Sequence, residues 1–460
     1  MKLTRKNFFV LLLIVAGITL ILISVYSFNT KGKRRDFIRI DSEQYDTVLL
    51  SMYPITTYPQ DFFYKYLLKT PLFTDYTIPD FKTFHEYVQR ICSSNNTVGT
   101  IYFCFLPDKI AASELNRLIG QYPAITFELI MAYPDSSYWT ALSDAEYQRI
   151  LDAYCAVLST TELPANANLY CFSACDFLIS NPSLYRDHFL VSEDAAFFLV
   201  SNSTRNSSYL VTQDNTESYT ENLRHVTAAL RSTPPDYPDL SDKTIFFLGD
   251  SVLGNFKGDL SIPGMLSGLT GATVYNIGYG GASASLCEST TSSLSDMLNA
   301  LYNKDASFFP EHLQAHTDVL TYQTEEISNS NTYYILNYGL NDYFYSCPIN
   351  FADPYDITTY SGAIRSSILE IRKHSPGAEI VLCTPTYTSL IPNPPNPLAF
   401  EEYVDAILRL ADEMNVKVAD TYHLSGITQE NHAQYLSDGV HPNEAGRFLI
   451  GKCILQAIRP

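Results

Sequence analysis

Beyond a leading apolar segment, the chain alternates short apolar runs with stretches in which apolar residues recur every three to four positions. Thr47–Met52, Val98–Phe105, Ile125–Ala132, Asn168–Phe172 and Ala195–Val200 read as buried strands. Ala111–Ile119, Asp144–Leu158 and Tyr219–Leu230 read as helices. Strands alternating with helices predict a layered α/β domain with parallel strands over residues 45–233. Ser232–Ser241 carries three prolines and predicts a linker, assigned to residues 234–242.

The same alternation resumes after the linker. Ile245–Leu248, Ala272–Ile277, Tyr333–Asn337, Glu379–Thr384 and Lys417–Asp420 predict strands. Helices are predicted near Ile262–Leu269, Thr291–Leu301, Ser361–Lys373, Phe400–Met414 and Glu444–Ile458. Residues 243–460 therefore read as a doubly wound α/β domain, with Asn303–Asn331 as an insertion that fits neither period. Leu390–Pro397 is a proline-rich excursion.

At the start, Phe8–Val25 is an apolar run of 18 residues. At about 1.5 Å per residue it nearly crosses a hydrocarbon core of about 30 Å, and Tyr26 and Phe28 extend it to the interface. Residues 1–28 are expected to be a transmembrane signal-anchor and 29–44 a basic tether, with Val25-Tyr26-Ser27 a poor cleavage site. Both flanks are basic, the C-terminal one slightly more so, and the positive-inside rule taken literally would place the body in the cytoplasm. The long acidic body and its Asn/Ser/Thr/Tyr-rich segments lead us to expect the body outside the cytoplasm.

Composition excludes one class of partner. Seven basic residues precede Asp36; removing them leaves 23 basic against 49 acidic residues, a net of −26. Such a body repels a phosphate backbone, so no nucleic-acid partner is expected. The nine cysteines are scattered, and the close pair Cys171 and Cys175 lacks a second pair to complete a zinc site. No cofactor or metal is expected.

The candidate chemistry begins where the Ile245–Leu248 strand breaks into Gly249-Asp250-Ser251. Open α/β sheets bind ligands outside the carboxyl ends of their strands, which is where this hydroxyl falls, and a following helix would aim N–H groups at whatever it attacks. A serine hydroxyl is a poor nucleophile without a base. Ser437-Asp438-Gly439-Val440-His441 supplies one: His441 as the base and Asp438 as the group that orients the imidazole. A developing oxyanion needs fixed donors. The candidates are the N–H of Ser251, an N–H in the Gly278–Gly281 loop and the side-chain amide of Asn341. His423 and His432 lie near the same end and are expected to be structural or exposed. Residues 45–233 show no nucleophile–base pair or phosphate loop. Their aromatic pieces Tyr133–Trp139 and Asn181–Tyr185 suit either a carbohydrate groove or packed turns.

Gly249-Asp250-Ser251, the glycine loop after the second strand, Gly339-Leu340-Asn341-Asp342 and Asp438-Gly439-Val440-His441 resemble, in order, the four blocks of the SGNH (GDSL-type) hydrolases. The resemblance covers about residues 243–460, and Val252 stands where that family most often has leucine. It implies a three-layer α/β/α fold and acyl-ester chemistry. Ser251 matches the nucleophile, Gly281 the second-block donor with Gly280 as an adjacent rival, Asn341 the third-block donor, and Asp438 and His441 the acid and base. The expected substrate is an acylated carbohydrate or another small ester, above all an O-acetyl ester of an envelope glycan. The same site in an O-acyltransferase would work beside a multipass acyl-donor membrane protein; a scaffold with a vestigial triad is a third reading. Residues 45–233 are expected to shape one wall of the acceptor site.

Overall fold

Two five-stranded sheets, each wholly parallel, carry the fold of this computed structural model. It describes residues 47–51, 72–77, 81–93, 99–303, 305, 307 and 331–459, less 111, 132, 160–162, 174, 187–188, 191, 206, 234 and 291. The first sheet is built from β1 (Thr47–Ser51), β2 (Leu72–Thr77), β3 (Thr100–Phe105), β4 (Thr126–Met131) and β5 (Ala167–Tyr170), in the order β2-β1-β3-β4-β5. Its intervening helices are α1 (Phe81–Ser93), α2 (Ala112–Ile119), α3 (Ser136–Ala141) and α4 (Asp144–Leu158). Ser143 opens α4 with a reciprocal capping box to Glu146. After the short α5 (Asp176–Ile179) come α6 (Glu193–Asn202) and α7 (Thr216–Ser232).

The second sheet holds β6 (Thr244–Gly249), β7 (Thr273–Asn276), β8 (Thr332–Asn337), β9 (Glu379–Cys383) and β10 (Lys417–Ala419), in the order β10-β9-β8-β6-β7. Ile245–Leu248 and all of β8 are buried, as a strand covered on both faces must be. One turn, α8 (Ser251–Gly254), follows β6, then α9 (Ile262–Thr270) and α10 (Leu294–Asn303). α11 (Leu340–Phe344) follows β8, and α12 (Tyr360–His374) and α13 (Phe400–Met414) flank β9. The chain closes through α14 (Thr421–Leu424), α15 (His432–Tyr435) and α16 (Glu444–Ile458). α12 packs on α10 and α13 and α16 on α9, which supplies the outer layers.

Read in chain order, both sheets run 2-1-3-4-5, the doubly wound arrangement whose switch point lies between the first and third strands. In the second sheet that point falls between β6 and β8, where Gly249 pairs with Asn337. The carboxyl end of β6 delivers Ser251 and that of β8 delivers Asn341 to the same crevice.

One expectation is corrected. Ala195–Val200 is helical, inside α6, because Ser192 caps it and its ten residues exceed a typical strand. In the stretch after α7, Leu240 is buried and donates its N–H to Thr270 O at 2.8 Å, while Tyr237 OH donates to Ser180 O at 2.8 Å. The helix that follows Asp250 is a single turn.

Residues 45–460 form one compact unit that contains both sheets. Its halves meet behind the Ser251 turn, where Asp259 N–H donates to Asp194 Oδ2 and Ser192 Oγ to Asp259 Oδ2, each at 2.8 Å. Among the described residues no helix is long and apolar enough to cross a membrane; the span expected at Phe8–Val25 lies outside them, as does most of the insertion. Cys104, Cys155, Cys171, Cys175, Cys347, Cys383 and Cys453 are buried, and Cys287 is half-buried.

Candidate active site

Ser251 is held by its neighbours on both sides. The Asp250 carboxylate accepts the Val252 N–H at 2.9 Å, capping the turn that presents Ser251. Gly254 ends that turn against the second-block loop: a Cβ there would lie 2.2 Å from the Gly278 and Tyr279 backbone. The Asn276 amide bonds Leu253 O at 2.9 Å and Phe256 O at 3.3 Å, tying the end of β7 to the same segment.

The candidate base, His441, arrives from the opposite end of the chain. Ser437 N–H donates to His441 O at 2.8 Å, closing a tight loop before α16. Thr388 Oγ and Ser389 N–H both donate to Gly439 O at 3.0 Å, bracing the loop from the segment after β9. Within it, His441 Nδ1 stands 2.7 Å from Asp438 Oδ2, and Nε2 stands 2.9 Å from Ser251 Oγ. Serine, histidine and aspartate thus form one continuous chain of hydrogen bonds. Asp438 Oδ1 also accepts the N–H groups of His441 at 2.8 Å and Val440 at 3.0 Å. Partial burial pushes the Asp438 carboxyl up, but these backbone donors and the imidazole outweigh it and hold it at about 2. The site is open: the Asp438 side chain is 55% exposed and that of His441 31%.

The donor candidates lie on the facing loops. Asn341 sits in the first turn of α11, and its Nδ2 donates to Ala282 O at 2.8 Å. A primary amide has two N–H groups, so this bond fixes the amide plane while leaving the second for an oxyanion. Next to it, Asp342 is fully buried and accepts the Ala284 and Ser285 N–H groups at 2.9 Å each, fastening α11 to the second-block loop. Gly280 faces Ser251, since a Cβ on it would sit 3.9 Å from Ser251 Cβ. Gly281 has φ +80°, a conformation that glycine adopts without penalty, and its carbonyl accepts the Tyr345 hydroxyl at 3.1 Å.

Beneath the site Asp250 is wholly buried. Burial, followed by the neighbouring Asp342 carboxylate, works against the Val252 N–H bond and pushes it up to about 7. Burial also raises Asp342, against the hydrogen bonds it accepts.

His423 repeats the aspartate–histidine geometry, with Nδ1 2.9 Å from Asp420 Oδ2 three residues before it. His432 Nδ1 lies 2.9 Å from Gln429 O. Spacing cannot separate His423 from His441; the contact with Ser251 does. Sequence reasoning overlooked Arg447, whose side chain is only 2% exposed. Its signal was a cation on the stripe Arg447, Ile450, Gly451, Ile454 and Ile458, every other member of which is uncharged and buried.

Residues 247–447 match the model of the GDSL-like Lipase/Acylhydrolase family. Solved structures similar in fold include a member of the lipolytic G-D-S-L family from Veillonella parvula (16% identity, 47% of this chain and 98% of that one, TM-score 0.33). A possible lipase from Chitinophaga pinensis is 20% identical over 46% of this chain and 96% of its own, with TM-score 0.31. A catalytic mutant of an acetylxylan esterase from Geobacillus stearothermophilus is 19% identical over 47% and 94%, with TM-score 0.30. No curated protein sequence matches the chain. The family match spans all four sequence blocks. The C-terminal half of the chain is thus a GDSL-like lipase/acylhydrolase domain, a serine hydrolase of the SGNH type.

Proposed function

We propose that this domain hydrolyses short O-acyl esters, acetyl above all, carried on a carbohydrate. The observation that carries the reading is the chain Asp438–His441–Ser251, with spacings of 2.7 and 2.9 Å, beside the half-committed Asn341 amide. Ser251 Oγ attacks the acyl carbon as its proton passes to His441 Nε2. Asn341, the Ser251 N–H and an N–H of the Gly280–Gly281 pair receive the oxyanion. His441 then protonates the leaving alkoxide, and a water activated by the same imidazole releases the acyl group.

The openness of the site supports a large, surface-borne substrate, because an ester on a polymer reaches Ser251 without being threaded. Tyr387, stacked on Tyr422 with centroids 6.4 Å apart and 5.7 Å from the His432 ring, lies one residue from the Thr388 brace and offers a sugar an aromatic platform. Openness also favours hydrolysis over transfer, since water competes freely for an exposed acyl-enzyme. The Phe8–Val25 run, on this proposal, anchors the body at an extracytoplasmic membrane face near such glycans. A C-terminal export-dependent reporter should then be active; an inactive reporter on a stable fusion would place the body inside.

The test of the chemistry is acetate release from an O-acetylated polysaccharide and from p-nitrophenyl acetate, with and without a free sugar acceptor. Acetate release at an unchanged rate is expected. Acyl transfer to the sugar in preference to water would instead make the enzyme a transferase in need of an acyl-donor partner.

A further inference from the structure

Arg447 lies in the first turn of α16, six residues after His441, and its charge is almost wholly enclosed. Its guanidinium makes three directed contacts. Nη1 donates to Pro442 O at 3.0 Å, Nε to Leu260 O at 2.7 Å, and Nη2 to Glu444 Oε1 at 3.0 Å. The plane also stacks on Phe256, 3.9 Å from the ring centroid. Pro442 immediately follows the base, while Phe256 and Leu260 belong to the segment that follows the nucleophile turn. One planar cation therefore bridges the two loops whose separation sets the distance between Ser251 and His441.

The far anchor is itself fixed. Asp259, next to Leu260, is held by Asp194 and Ser192 of the N-terminal half. The other side of the acid–base loop is braced by Thr388 and Ser389 through Gly439. Arg447 is the side chain that spans from the base loop to the nucleophile segment, and burying a cation for that purpose is costly unless its geometry is used.

Resting on the triad reading above, we propose that Arg447 is a positioning residue: through Pro442 O and Leu260 O it holds His441 Nε2 within hydrogen-bonding reach of Ser251 Oγ. Lysine cannot reproduce the role, because a point charge cannot span two carbonyls in one plane while stacking on a ring. A displacement of about 1 Å at a reacting pair costs on the order of 10²-fold in rate. The loss should fall on kcat, since Arg447 lies behind the loops and not in the substrate's path.

The experiment compares the full-length protein with Arg447→Lys, Phe256→Ala, Phe256→Tyr and Ser251→Ala. Turnover of p-nitrophenyl acetate, labelling by a fluorophosphonate probe and thermal melting are measured for each. Arg447→Lys should lose about 10- to 100-fold in kcat with KM within about twofold, and its labelling rate should fall in parallel. Phe256 is 42% exposed, so its removal spares the core; alanine there should cost about three- to tenfold in kcat and tyrosine should restore it. A folded Arg447→Lys with parental kcat and labelling rate overturns the proposal. If Arg447→Lys does not fold, parental kcat in Phe256→Ala overturns it instead. Ser251→Ala separates the two levels: activity there refutes the triad itself, whereas an inactive Ser251→Ala beside a fully active Arg447→Lys refutes only the role of Arg447.

Discussion

Replacing Asp438 by asparagine should harm catalysis more than replacing it by alanine. The carboxylate uses its two oxygens differently: Oδ1 accepts two backbone N–H groups and Oδ2 faces His441 Nδ1 at 2.7 Å. In alanine the imidazolium loses its counter-charge. At that spacing the attraction is about 1.5 kcal/mol in water and about 6 kcal/mol at the effective dielectric of a protein surface. With the side chain 55% exposed, the value lies toward the lower end. About 2–3 kcal/mol corresponds to a loss of about 30- to 150-fold in kcat. Water can enter so open a site and accept the Nδ1 proton, so the neutral base keeps its useful tautomer.

Asparagine lacks that escape. Its carbonyl oxygen must stay on the two backbone donors, because turning the amide would set N–H against N–H. The amide nitrogen then faces Nδ1 and donates to it, which leaves the ring proton on Nε2 and no lone pair there to accept the proton of Ser251. An unsatisfied pairing of about 1–3 kcal/mol puts asparagine at least about fivefold below alanine. Steady-state kinetics on p-nitrophenyl acetate, with melting curves to confirm folding, measure both. Asparagine more active than alanine would refute the tautomer argument; a loss under threefold in both would move the acid elsewhere, with Asp420 the first alternative.

Asn341→Ala should lower kcat by about 10²–10³-fold while KM moves far less, since the amide acts on charge that develops at the transition state. Asp250→Asn tests the buried carboxyl through melting temperature against pH. An acid raised to about 7 makes the native state bind more protons than the unfolded chain between about pH 4 and 7, so parental stability should fall across that window. Asparagine should flatten the slope without abolishing it, because Asp342 is shifted the same way; an unchanged slope would refute the assignment. Gly258→Ala should lower the melting temperature by several degrees, since φ is +89° and the new Cβ would lie 2.2 Å from Asp194 Oδ2. No change there would show that the two halves do not meet as described.

The second sheet was legible because its three central strands carry continuous apolar runs punctuated by a polar or glycine turn, as at Ile245–Leu248 and Tyr333–Leu336. Its five predicted strands and five predicted helices are all present, with ends displaced by up to three residues. The four motif blocks named the residues that the switch point then gathers, but the 2.9 Å contact between Ser251 and His441 spans 190 positions and no local pattern gives it. In the first half the signals were weaker. Ala195–Val200 is an apolar run that suits a strand or a buried helix equally, and the helical cap at Ser192 was the deciding cue. α1 and β2 went unread because Leu72–Thr77 carries a central aspartate and neither apolar alternation nor an apolar run. Arg447 was overlooked because its carbonyl partners have no side-chain signature.

The central claim is that Ser251 is the nucleophile, served by His441. Treating the full-length protein with a fluorophosphonate and mapping the modified peptide by mass spectrometry tests it most directly. A single adduct on Ser251, absent from Ser251→Ala and much slower to form in His441→Ala, is the expected result. An adduct on another residue, or ester turnover undiminished in Ser251→Ala, would contradict it.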